Sequence, residues 1–92
     1  MDFEWDENKR LSNIAKHGWD FLRAKELFAG PHVIRPSLHA DEEERQLATG
    51  KIAGCFVTVV FTMRAGRCRP ISMRSARNDE RRAYQNIYRE AD

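Results

Sequence analysis

Polar and apolar positions change their period several times along the chain, and each change marks an element. Residues 2–5, Asp-Phe-Glu-Trp, alternate, which predicts a short first strand with Phe3 and Trp5 on one face. Asp6 then reads as an N-cap. From Glu7 to about His17 the apolar residues Leu11, Ile14 and Ala15 share one helical face, and Gly18 supplies a left-handed stop. On the opposite face Lys9, Asn13 and Lys16 fall within about 60° of one another, with His17 a little further round. That basic face is either a functional surface or a solvated one whose cations favour the helix C-terminal dipole. Asp20 caps a shorter second helix through Phe21, Ala24, Leu27 and Phe28, which Gly30 and Pro31 end.

Residues 32–38, HVIRPSL, carry β-branched residues and Pro36, so a strand there is short or lies at an edge; His32 and His39 read as surface residues at its ends. Residues 43–53, EERQLATGKIA, predict a strand that turns at Gly50. Residues 54–64, GCFVTVVFTMR, are apolar at nearly every position and predict a central strand covered on much of both faces. A further strand over 68–73 makes a hairpin with it. A strict two-residue loop at Ala65-Gly66 sets Arg64 against Arg67 and mixes polar with apolar side chains on each face. A three-residue loop, with Arg67 included, opposes Arg64 to Cys68. It puts Thr58, Thr62, Arg64, Ser72 and Arg74 on one face, and Val57, Val59, Phe61, Met63, Ile71 and Met73 on the other. We therefore expect the three-residue loop. From about Asn78, Tyr84, Ile87, Tyr88 and Ala91 form a narrow apolar stripe on a lightly packed last helix.

The order β, α, α, several β, α in 92 residues predicts one α+β domain spanning residues 1–92. Hydrophobic content of 41% with 33% charged residues argues against disorder. The chain has no run of about 20 apolar residues and no basic, greasy leader, so a cytoplasmic protein away from membranes is expected. Cys55 and Cys68 read as free thiols, and no Cys or His spacing suggests a zinc site, so no metal or other cofactor is expected. The net charge of +2 says little, but its distribution says more. Acids cluster at Asp41 to Glu44, whereas residues 64–82 hold seven arginines, no lysine, and only Asp79 and Glu80 against them. Arginine grips phosphate bidentately and stacks on bases in ways lysine does not.

A polar hairpin face bearing Arg64 and Arg74, with hydroxyls beside it and a helix start nearby, suits a phosphodiester. RNA cleavage needs little more, because the 2′-OH is an internal nucleophile. The protein has to move protons and stabilise charge on phosphorus. His17, Tyr84 and Glu80 are the proton-transfer candidates. Each also has a plain structural reading: a solvated helix end for His17, a packed aromatic for Tyr84, and a cap or ion pair with Arg74 or Arg77 for Glu80.

Three stretches resemble the BrnT family of ribonuclease toxins. The first runs over residues 5–21, through Trp5, Asp6, Lys9, Asn13, Lys16, His17, Gly18 and Phe21. The second joins Glu43, Arg45 and Gly50 to Val59, Phe61, Thr62 and Arg64. The third runs from Ile71, Ser72, Arg74 and Ala76 to Glu80, Arg81 and Tyr84. One position departs: the family usually has Ser or Thr where this chain has Arg77, so the expected capping box with Glu80 is absent and Asn78 stands in as cap. The resemblance implies a RelE-like fold, a curved antiparallel sheet with two N-terminal helices and one C-terminal helix. It implies a metal-independent endoribonuclease that arrests growth and is neutralised by a cognate BrnA-like antitoxin with a ribbon-helix-helix domain. Operator DNA would be reached only through that antitoxin. Position by position it points to Arg64, Arg74, His17, Tyr84 and Glu80 as catalytic, and to Lys9, Lys16, Arg67 and Arg81 as RNA-binding. Two rivals remain open: a non-catalytic nucleic-acid binder, and an interaction module whose basic pole docks an acidic partner.

Overall fold

The computed structural model describes residues 1–37 and 44–89. Strand β1 is Asp2–Phe3, and the backbone then continues one bond further, Glu4 N–H donating to Cys68 O at 3.0 Å. Helix α1, Glu7–His17, starts where expected: the Asp6 carboxylate accepts from the Asn8 and Lys9 N–H groups at 2.8 and 3.2 Å. It ends at Gly18, whose φ of 75° and N–H bond to Ile14 O close the last turn. Asp20 caps a 3-10 turn, Phe21–Arg23, that runs into helix α2, Ala24–Ala29. An ion pair from Arg10 to Asp20 at 2.9 Å fixes the corner between α1 and this second segment. No helix among the described residues is long and apolar enough to cross a membrane.

Strands β2 (His32–Pro36), β3 (Gln46–Ile52), β4 (Cys55–Arg64) and β5 (Arg67–Ser75) complete a five-stranded sheet in the order β1-β5-β4-β3-β2. β4 is central and β2 is an edge, as their sequences predict. The sheet is mixed rather than wholly antiparallel, because β1 pairs with β5 in parallel. β1 and β5 are not joined by a hairpin: the chain leaves β1 through the N-terminal helices and enters the sheet again at β2, on the opposite edge. Helix α3 is Asn78–Ile87. Its start matches expectation; of the expected stripe Tyr84 is buried and Tyr88 packs beside it, whereas Ile87 is exposed, and Ala91 and His39 lie outside the described residues.

Alternation along β4 sorts the layers. Val57, Val59 and Phe61 are buried with Phe21, Ala24 and Leu27 under the N-terminal helices. Phe56 and Thr58 point the other way, where Tyr84 packs edge-on to Phe56 and Glu80 bonds to Thr58 Oγ1, so α3 covers the opposite face. Gly50 does not turn the chain. It sits inside β3, buried, where a Cβ would meet Pro31 O at 3.0 Å and Leu27 Cγ at 3.1 Å, so its role is to admit α2 close to the sheet. The β3–β4 turn falls instead at Ala53-Gly54, both with positive φ.

The β4–β5 hairpin combines the two registers weighed above. At the turn the loop has two residues, Ala65 and Gly66, again with φ of 52° and 77°, and Arg64 pairs with Arg67. Between Val60 and Phe61 the register shifts by one, after which Val60 pairs with Ser72, Val59 with Met73 and Thr58 with Arg74. The extra residue expected in the loop is thus a bulge at Ile71. It resolves the mixing of faces that counted against a two-residue loop. Arg64, Thr62, Thr58, Ser72 and Arg74 still share a face by register, but Ile71 joins them instead of the core.

Helix α1 is rotated from its apolar pattern. Leu11 is 52% exposed and Ala15 is exposed, whereas Asn13 is buried at 6%. The reason is the open side of β5 beyond the short β1. There Asn13 Nδ2 donates to Met73 O at 2.8 Å and to Trp19 O at 2.9 Å, and Met73 N–H donates to Asn13 Oδ1 at 3.0 Å. One amide completes three backbone groups that would otherwise be buried unpaired. His32 is likewise only half exposed, its ring 5.2 Å from Phe28 and its Nδ1 2.8 Å from Gly30 O.

Candidate functional site

Where α3 begins above the sheet, the face opposite the N-terminal helices opens into a cleft of about 610 Å³. Its floor is aliphatic, with Leu47 of β3, Val60 of β4 and the bulged Ile71 of β5. Its rim is cationic: Arg35 from β2, Arg45 just ahead of β3, Arg74 from β5, and Arg77 at the N-cap of α3. Asp79 and Glu80 are the carboxylates on the rim.

Glu80 organises one wall. It is 2% exposed and accepts a bidentate pair from Arg74, Nη1 to Oε1 at 2.8 Å and Nη2 to Oε2 at 2.9 Å. The Arg77 backbone N–H and the Thr58 hydroxyl also donate to Oε1, at 2.8 and 2.9 Å, and Thr58 in turn shares a 2.8 Å hydroxyl contact with Thr49. Burial pushes the Glu80 carboxyl upward, but the bonds from Arg74, the Arg77 backbone and Thr58 together outweigh it and bring its pKa to about 2. The carboxylate therefore stays ionised and fully bonded near neutral pH, and its geometry is that of a clamp on Arg74 and a half-cap on α3. The bond to the Arg77 N–H is the Glu80 half of a capping box. An arginine side chain offers no acceptor for the reciprocal bond, and Asn78 is already the first helical residue, so it does not take over as cap.

The remaining cations are not equivalently held. Arg35 reaches Asp79 at 3.4 Å, and both are well exposed. Arg45 Nε is buried with no hydrogen-bond partner among the described residues. The Arg77 guanidinium makes no ion pair with a described residue.

Of the residues expected from the sequence to be catalytic or RNA-binding, Arg74 and Glu80 line the cleft and the others do not. Arg64 and Arg67 lie exposed at the far turn of the hairpin. Lys9, Lys16 and His17 are exposed on α1, away from the cleft lining. Tyr84 is buried at 4%, its ring 5.5 Å from Phe56 and 5.0 Å from Tyr88, and Arg81 lies over the Phe56 ring at 5.0 Å. The sequence reading gave no role to Arg35 or Arg45. Arg35 was hidden in what read as an ordinary edge strand. Arg45 stood among the residues of the family resemblance, but nothing in its neighbours said that it would line one cleft with Arg74.

Comparison with known proteins gives a consistent answer. A family described as the ribonuclease toxin BrnT of type II toxin-antitoxin systems matches residues 5–80. Among solved structures, the 1.1 Å crystal structure of the Brucella abortus ribonuclease toxin BrnT is 36% identical, with a TM-score of 0.70; the match covers 85% of this chain and 99% of that one. No curated protein matches the chain. The match spans the α1 motif, the central hairpin and the start of α3, and the chain belongs to the BrnT family of type II ribonuclease toxins.

Proposed function

We propose that the protein, with residues 1–92 acting as one RelE-like domain, is a metal-independent endoribonuclease that docks an RNA phosphate in the arginine cleft. The observation that carries this reading is Arg74, a guanidinium held in place by a buried carboxylate at the edge of an apolar-floored cleft. In this mechanism the 2′-oxygen bonds to the adjacent phosphorus, the bond to the 5′-oxygen breaks, and a cyclic phosphate and a 5′-hydroxyl result. Charge accumulates on the non-bridging oxygens, and a preorganised arginine stabilises it without rearranging. Glu80 acts as a positioning residue for Arg74, since every proton that reaches its oxygens is already committed to a bond. Arg64, Lys9, Lys16, Arg67 and Arg81 attract the RNA backbone from outside the cleft, whereas His17 and Tyr84, expected from the sequence to transfer protons, lie outside its lining.

As a toxin of this family the protein acts in the cytoplasm, arrests growth, and is neutralised by a ribbon-helix-helix antitoxin that carries the complex to its operator. The direct experiment is incubation of the purified protein with labelled RNA in EDTA. Cleavage that Arg74→Lys reduces by about 100-fold supports the mechanism. Salt-sensitive RNA binding with no cleavage would assign the protein to non-catalytic binding instead.

A further inference from the structure

We infer that Arg45 and Arg77 form a second phosphate-binding subsite beside Arg74. It takes the nucleotide next to the scissile phosphate, with its base laid on Leu47, Val60 and Ile71. The inference rests on the ribonuclease reading and extends it to how the substrate is held. Its starting point is the charge balance of the cleft. Glu80 is spent on Arg74, and Asp79 faces Arg35. Arg45 and Arg77 therefore bring two positive charges to the cleft that no described carboxylate matches. Two guanidinium groups lining one cleft without a matching carboxylate suit an anion placed between them.

The floor specifies what accompanies the anion. Three aliphatic side chains from three adjacent strands line the same cleft as the two arginines, and the bulge at Ile71 is what turns that side chain out of the core and into the cleft. A planar base joined to a phosphate satisfies both halves of the site. The volume of about 610 Å³ falls within the usual range for small-ligand sites. An acidic peptide would satisfy the arginines and leave the floor uncovered. Arg77 also occupies a helix N-cap that it cannot fill, which is intelligible if its guanidinium is used in the cleft.

The test uses a single-stranded 2′-deoxy oligonucleotide, which cannot be cleaved, so that binding is measured apart from chemistry. Arg45→Met and Arg77→Gln should each weaken binding and lower the slope of log affinity against log salt by about 0.7. Arg45→Lys should restore the slope. The methyl NMR signals of Leu47, Val60 and Ile71 should shift on titration with a deoxydinucleotide. Unchanged salt slopes with intact folding, or methyl signals that stay fixed, overturn the subsite. So does loss of antitoxin binding without loss of oligonucleotide binding. Whether the wild-type protein cleaves RNA in EDTA is decided separately, so a failed subsite and a failed ribonuclease reading give different results.

Discussion

Helices α1 and α3 are each joined to β5 by one buried polar side chain, and the two junctions differ in chemistry. Asn13 joins α1 to Met73 through a neutral amide that satisfies backbone groups and leaves nothing over. Glu80 joins α3 to Arg74 through an ion pair with two further donors, Thr58 and the Arg77 backbone. The first junction is architecture. The second presents an oriented cation to a cleft, and it is the one exposed to pH and to the loss of a single partner.

The sharpest way to break the contrast is Arg74→Ala, which leaves Glu80 buried and ionised without a countercharge. It should cost about 3 kcal/mol of stability, measurable by urea denaturation at pH 7. This variant therefore mixes misfolding with lost chemistry, and Arg74→Lys is the better test of catalysis. Acid should act on the same junction. The Glu80 pKa lies below its ordinary 4.5, at about 2. Its stabilisation is thus complete above pH 4.5 and is lost as pH falls toward 2. The loss should be on the order of 2–3 kcal/mol, and Glu80→Gln should flatten that part of the stability profile.

On the other side of the comparison, Asn13→Ala should cost about 2 kcal/mol, and by the same amount at pH 7 and pH 4, because the groups it orphans do not titrate there. A strong pH dependence in that variant would contradict the neutral-junction account. The smallest effect should be a gain. Arg77→Ser completes the capping box and should raise stability by about 1 kcal/mol in thermal melts, while lowering the salt slope for oligonucleotide binding.

Local signals in the sequence were reliable where one residue decides one backbone group. Asp6, Gly18 and Asp20 begin and end their helices as read, and the β4 run lies at the centre of the sheet. They failed where two solutions satisfy the same pattern. Both tight turns are Ala-Gly, a pair with a weaker turn signature than Asn-Gly, so one was missed and the other lengthened. The hairpin needed one extra residue to sort its faces. The sequence shows that need but not whether a loop or a bulge meets it. Asn13 was assigned to the solvent face because polarity usually marks exposure, and no local feature announces three unpaired backbone groups contributed by residues 19 and 73.

The sequence by itself determined the family, the order of elements and the arginine-rich character of the C-terminal half. Capping, strand propensity and motif spacing are properties of neighbouring residues and can be read along the chain. Only the tertiary structure decided that Arg74 meets Arg35, Arg45 and Arg77 rather than Lys16, His17 or Tyr84, and that Glu80 is its clamp. Those encounters depend on which face each strand turns inward, and a single bulge at Ile71 resets that parity for part of β5.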